Sequence, residues 1–136
     1  MPLTCEEAMA VIVRAHEHAK VMGVRLSVAV VDECGLLVAL GRMDGAPPLS
    51  AQIAEAKASG AALWHRDGTS LAQVAAERPA FFQAVDKLAR VPLVPGAGSL
   101  LIKRGESVLG AVGASGARPE QDAACVEAGL RALLPV

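Results

Sequence analysis

Arg42 and Asp44 stand two residues apart in G-R-M-D-G-A-P, residues 41–47, and Glu120, Gln121 and Asp122 run together after Arg118 and Pro119. An arginine beside carboxylates can hold a substrate carboxylate while an acid moves a proton. Crowded carboxylates keep a proton more readily than isolated ones, so Asp44, Glu120 and Asp122 are the candidate general acids and bases if the chain is an enzyme. The reaction would then be an isomerisation, hydration or elimination on an organic acid or ring-cleavage product, with no redox cofactor. No Ser-His-Asp arrangement adds nucleophilic chemistry. On local sequence alone the simpler reading is a surface pair at Arg42 and Asp44, with the acids of the second stretch complementing a helix dipole.

Metal or heme ligation needs histidine, and His16 and His18 are the candidate ligands. On a helix they fall about 80° to either side of the apolar stripe, so one at most can serve. An exposed flank histidine is the commoner role for either. His65, after Trp64, suits the C-terminal end of a helix. Cys5, Cys34 and Cys125 are odd in number, far apart and without a C-x-x-C spacing, which predicts reduced thiols and neither disulfides nor a zinc site. Cys34 has only acidic close neighbours, Asp32 and Glu33, and lacks the cation that a nucleophilic thiolate needs. Gly110, Gly113 and Gly116 form G-x-x-G-x-x-G, which differs from the dinucleotide fingerprint and lies outside any βαβ unit.

The elements that position these residues are legible. Thr4 and Glu7 have capping-box spacing, and Ala8, Ile12, Ala15, Ala19 and Met22 recur with helical period, predicting a helix from about Cys5 to Met22 that ends at Gly23. V-R-L-S-V-A-V-V-D reads as a strand buried on both faces, turned at Gly35 into L-L-V-A-L-G-R-M. After Pro47 and Pro48 comes a helix over residues 50–64, with Ser50 as its expected N-cap. Gly60 within it costs about 1 kcal/mol unless something packs closely there. Arg66-Asp67-Gly68 reads as a loop, followed by two shorter helices, L-A-Q-V-A-A-E and A-F-F-Q-A-V-D-K-L-A. A Pro/Gly loop leads to a second hairpin, S-L-L-I-K and S-V-L-G-A-V-G-A-S, and Pro119 opens the last helix. Helix, hairpin, helices, hairpin, helix predicts one α+β domain with an antiparallel sheet and helices on its faces.

The 136 residues suit a single core, with 53% hydrophobic and 20% charged residues. A net charge of -1, an isoelectric point near 6.3 and 2% aromatics disfavour nucleic acid as a partner. No apolar run reaches a membrane span and the acidic start is unlike a secretory signal, so a soluble cytoplasmic protein is expected, with no membrane partner.

The stretches V-A-V-V-D-E-C-G-L-L-V-A-L-G-R-M-D-G-A, A-E-A-K-A-S-G-A-A-L and G-A-V-G-A-S-G-A-R-P-E-Q-D together resemble the GlcG/HbpS family of small heme-binding-like proteins, which is similar to the C-terminal domain of PduO proteins. The resemblance covers nearly the whole chain. It implies an antiparallel five-stranded sheet flanked by helices, of profilin-like or PAS-like kind, assembled into homo-oligomers. It implies binding of heme or another tetrapyrrole, often beside small-molecule catabolic functions. The motif positions it carries here are Asp32, Gly35, Arg42, Asp44, Gly45, Gly113, Ser115, Gly116, Glu120, Gln121 and Asp122. Asp32, Arg42, Ser115, Gly116 and Gln121 are accordingly the expected ligand-binding residues, in a cleft formed by the ends of the two hairpins. P-G-A-G-S-L-L-I-K departs from a P-G-G-x-P-I pattern, which predicts an altered pocket edge.

Overall fold

A computed structural model describes residues 2–134. In chain order the elements are α1 (Cys5–Met22), β1 (Ser27–Asp32), β2 (Leu37–Arg42), α2 (Ser50–Trp64), α3 (Gly68–Glu77), α4 (Pro79–Asp86), β3 (Ser99–Arg104), β4 (Ser107–Ser115) and α5 (Pro119–Leu130), with a 3-10 turn at Arg131–Leu133. The start of α1 is a capping box: the Glu7 amide donates to Thr4 Oγ1 at 3.0 Å, and the Thr4 amide donates to Glu7 Oε1 at 3.0 Å. Gly23 ends it in the left-handed region, at φ 71°.

The sheet is antiparallel throughout, in the order β2-β1-β4-β3. It has four strands, which corrects the expected five. The residues between the hairpins go into α2, α3, α4 and a loop whose Pro92 and Pro95 have no amide to donate and whose Gly96 and Gly98 have left-handed φ angles of 133° and 106°. That segment cannot add a ladder to either sheet edge.

β1 is central and buried on both faces, as its unbroken apolar run predicts. On one face Val28, Val30 and Val112 pack with Val11, Ile12 and Ala15 of α1 and with Cys125 and Val126 of α5. On the other, Val31 and Ala111 meet Ala58, Ala61 and Ala62 of α2. Small side chains let α2 lie close enough that a Cβ at Gly113 would fall 2.5 Å from the Ala54 carbonyl oxygen. Gly60 has the packing reason its cost demands, since a Cβ there would meet Leu71 of α3 at 3.1 Å.

Two local expectations are corrected. Ser50 is the first residue of α2, with Leu49 in the cap position, and its hydroxyl caps nothing. It donates instead to the Pro47 carbonyl and accepts from Ser27 Oγ at 2.8 Å, because buried Ser27 has no water to bond. Gly68 belongs to α3, not to a loop, and the Asp67 carboxylate before it accepts from the Leu101 amide at 2.8 Å.

Candidate functional site

Ser27 at the start of β1 pairs with Arg42 at the end of β2 and with Ser115 at the end of β4, so both hairpins deliver their polar exits to one end of the sheet. Two polar clusters form there, one open and one sealed.

The open cluster is a hollow of about 350 Å³ lined by His16, Lys20, Arg25, Arg42, Met43 and Asp44. His16 Nε2 lies 3.0 Å from the Gly41 carbonyl oxygen. A carbonyl only accepts, so in the neutral ring Nε2 carries the proton and Nδ1 keeps the lone pair. Burial pushes the His16 pKa below the ordinary histidine value, with Lys20 adding to the effect and the Gly41 bond opposing it. The ring lies so close to β2 that a Cβ at position 41 would sit 2.8 Å from His16 Cε1. Glycine is therefore required at 41 for the histidine to occupy this place. The expected Arg42–Asp44 pair does not form among the described residues. Arg25 donates to the Asp44 carbonyl oxygen at 2.7 Å and Arg42 to that of Ala46 at 3.4 Å, so the Asp44–Ala46 turn folds onto two guanidinium groups through its backbone.

The sealed cluster holds Asp122, which is 2% exposed. Its Oδ2 is 3.3 Å from Lys57 Nζ, which also donates to the Ala114 carbonyl oxygen at 3.0 Å, while Oδ1 accepts from the Ala117 amide at 3.1 Å. Burial raises the Asp122 pKa despite the opposing pull of Lys57. The pair ties α2 to α5 around the end of β4, and a Cβ at Gly98 would meet both Asp122 Cβ and Lys57 Nζ at about 3 Å. Gly116, at φ 131°, lets the same turn approach the Arg25 and Leu26 backbone.

The remaining expected residues scatter. Glu120 is exposed and reaches Arg118 at 3.9 Å. The Gln121 side chain accepts from the Arg118 amide at 3.1 Å. Asp32 lies at the opposite end of β1, where its carboxylate accepts from the Cys34 and Leu36 amides and shapes the hairpin turn. Ser115 is buried on the row of Ser27. His18 is half-buried on the other flank of α1, in a groove with Val21, Ala128 and Arg131. His65 adopts the left-handed C-cap of α2. Among the described residues there is no group of three or more His, Cys, Asp or Glu side chains that could hold a metal ion.

Sequence reasoning missed Lys57, Arg25, Lys20, Met43 and Gly41. For Lys57 the signal was a lysine inside A-E-A-K-A-S-G-A-A-L, set directly between Ala56 and Ala58 and followed by a run of small residues that announces burial. For Gly41 it was a glycine inside a strand, which marks the close approach of another group.

A family model described as haem degrading protein HbpS-like matches residues 3–131. Protein GlcG of Escherichia coli strain K12 is 40% identical over 65 residues, 48% of each chain, so the chain spans about half the length of the curated relatives it matches. A double mutant of Streptomyces reticuli HbpS superposes with a TM-score of 0.89 at 29% identity, over 99% of this chain and 89% of that one. The PduOC:heme complex shares the fold, with a TM-score of 0.85 at 23% identity over 97% of this chain and 95% of that one.

Proposed function

The chain belongs to the HbpS-like family of haem degrading proteins, and from that premise we propose that it is a small-ligand binding protein that takes heme, or a related tetrapyrrole, at the hollow around His16. The observation that carries this reading is the His16 ring. It is half-buried, oriented by a backbone carbonyl and surrounded by three cations.

The donor set suits the group. A ligating histidine normally donates its second ring N–H to a carbonyl or carboxylate, which fixes the tautomer, and Gly41 supplies that acceptor. The lowered pKa keeps the imidazole neutral and its lone pair available. Lys20, Arg25 and Arg42 match the two carboxylates of a heme edge. Met43 adds a polarizable thioether wall. At about 350 Å³ the hollow is at the small end for ligand pockets, so it grips one edge of a macrocycle and does not enclose it. Bound heme would supply an iron centre, while the chain's own residues orient the donor and neutralise the propionates. The three unpaired cysteines suit a reducing cytoplasm.

The alternative, a catabolic isomerase, hydratase or lyase, finds less support. Asp44, Glu120 and Asp122 sit in different surroundings with different neighbours, and Asp122 is committed to Lys57. Titration of the purified protein with hemin, followed in the Soret band, is the test. The expected result is a saturable shift ending at one hemin per chain. A response that never saturates, or none, contradicts the proposal.

A further inference from the structure

The chain has one tryptophan, two phenylalanines and no tyrosine, and all three rings gather in one place. Among the described residues, the clusters that cover the two faces of the sheet contain none of them. Phe82 is buried with Leu71 and Leu93, and Trp64 at the end of α2 stacks on it, with 5.5 Å between centroids and 20° between planes. Phe81 meets the indole edge to face, at 6.2 Å and 85°, yet is itself 43% exposed. Trp64 and Phe81 line a hollow of about 380 Å³ between α2 and α4, completed by Leu63, Val85, Leu88 and Leu93. It shares no lining residue with the hollow at His16.

Unspent positive charge stands beside these rings. Arg78, between α3 and α4, is held by its backbone: its amide donates to the Val74 carbonyl and its carbonyl accepts from the Phe82 amide, both at 2.9 Å. Its guanidinium carbon lies 4.1 Å from the centroid of the Phe81 ring. Stacking of this kind uses the flat face of the guanidinium and leaves the in-plane fork of N–H donors for an acceptor. Among the described residues the Arg78 side chain has no ion pair or hydrogen bond, and the Trp64 indole N–H has no acceptor. Lys87, next to Leu88, is exposed and unpaired as well. The acid close by, Asp86, is committed to the Leu93 amide at 2.6 Å.

We propose that this hollow is a second small-molecule site, which takes an aromatic carboxylate of one or two fused rings, its ring system against Trp64 and Phe81 and its carboxylate on the Arg78 guanidinium. The two near-perpendicular rings form a corner, so a flat ligand stacked on one meets the other edge to face, and aromatic pairs favour both arrangements. Aliphatic side chains close the remaining walls, and the volume suits a small ligand. Charge selects the acid. A neutral hydrocarbon would leave the guanidinium fork and the indole donor unmet, and a cation would be repelled by Arg78 and Lys87. A second copy of the chain docked on the same face would bring those like charges together.

The single indole N–H supplies the readout, as one cross-peak in the proton–nitrogen spectrum of labelled protein. Titration with 2-naphthoate should move that peak saturably. The neutral isostere 2-naphthamide should bind about 10-fold more weakly, because it lacks the charge that the guanidinium meets. Arg78→Gln should lower 2-naphthoate to the level of the amide and leave the amide where it was. Arg78 is exposed, so circular dichroism should report unchanged helix content in the variant. His16→Ala should leave both ligands unaffected, which separates this site from the hollow on α1. No saturable movement, equal binding of acid and amide, an Arg78→Gln variant that binds 2-naphthoate like the wild type, or binding lost in His16→Ala would each overturn the proposal. So would an indole peak that moves on dilution without ligand, since a second copy would then cover the hollow.

Discussion

His16 and Lys57 bond to carbonyls on the same row of the sheet, since Gly41 and Ala114 both pair with Val28, yet they belong to different kinds of polar cluster. Around Lys57 every partner is supplied by the chain: a carboxylate, two backbone groups and two glycines that admit them. Around His16 the chain supplies an orienting carbonyl and three cations but leaves the imidazole lone pair and the hollow open. Both clusters contain an acid and basic groups within a few residues of a hairpin exit. What separates them is whether the charges are used up internally. A cluster that satisfies itself holds the fold, and one that does not is equipped to hold something else.

The sharpest break of that contrast is Lys57→Ala. Removing one partner of a buried ion pair strands the other charge, so a loss of about 3–5 kcal/mol is expected, read as a lowered denaturation midpoint. The pH dependence has a definite sign. Burial holds the Asp122 pKa above its unfolded value, so its folded form binds the extra proton, and that stability is present at low pH and lost as pH rises through the folded pKa. In Lys57→Ala the loss should therefore deepen as the pH rises above the ordinary aspartate range, and shrink as the pH falls and Asp122 takes up its proton.

Gly41→Ala comes next. The added methyl overlaps His16 Cε1 and Ile12 Cγ2, costing about 1–3 kcal/mol of stability, and displaces the ring, so hemin affinity should fall more than in a variant of equal stability loss elsewhere in the core. A smaller effect is expected from Arg25→Ala: one charge-assisted contact to a propionate is lost, weakening hemin about 10-fold at low salt and less at high salt. The pH profile of hemin binding by the wild type should show retention at the ordinary histidine titration point and loss only below it, because the proton that competes with iron binds a depressed site. At the bottom of the scale, Arg118→Ala breaks an exposed pair at 3.9 Å and should change thermal stability by less than about 1 kcal/mol.

Much of the frame was legible because its signals are local. Thr4 and Glu7 are three residues apart, Gly23 needs only its own φ, and the apolar run of β1 reports burial on both faces without naming what covers it. The strand number was not local. It depended on a resemblance, and the proline- and glycine-bearing loop overrules it. Ser50 was misassigned for the same reason, since its partner Ser27 lies 23 positions away and the capping rule cannot see it. The charged motifs were found, but not their division. Nothing in R-M-D-G-A or P-E-Q-D tells that one turn folds onto Arg25 while the other sends Asp122 to a lysine 65 positions earlier. Lys57 could be found from the alanines around it. Its partner required the fold.

The most direct test of the central claim is a hemin titration of the wild type beside His16→Ala and His18→Ala, at equal protein concentration and with the Soret maximum recorded at saturation. The expected result is a saturable shift that survives in His18→Ala and is lost in His16→Ala. A wild-type spectrum retained in His16→Ala and lost in His18→Ala would contradict it and move the site to the other flank of α1.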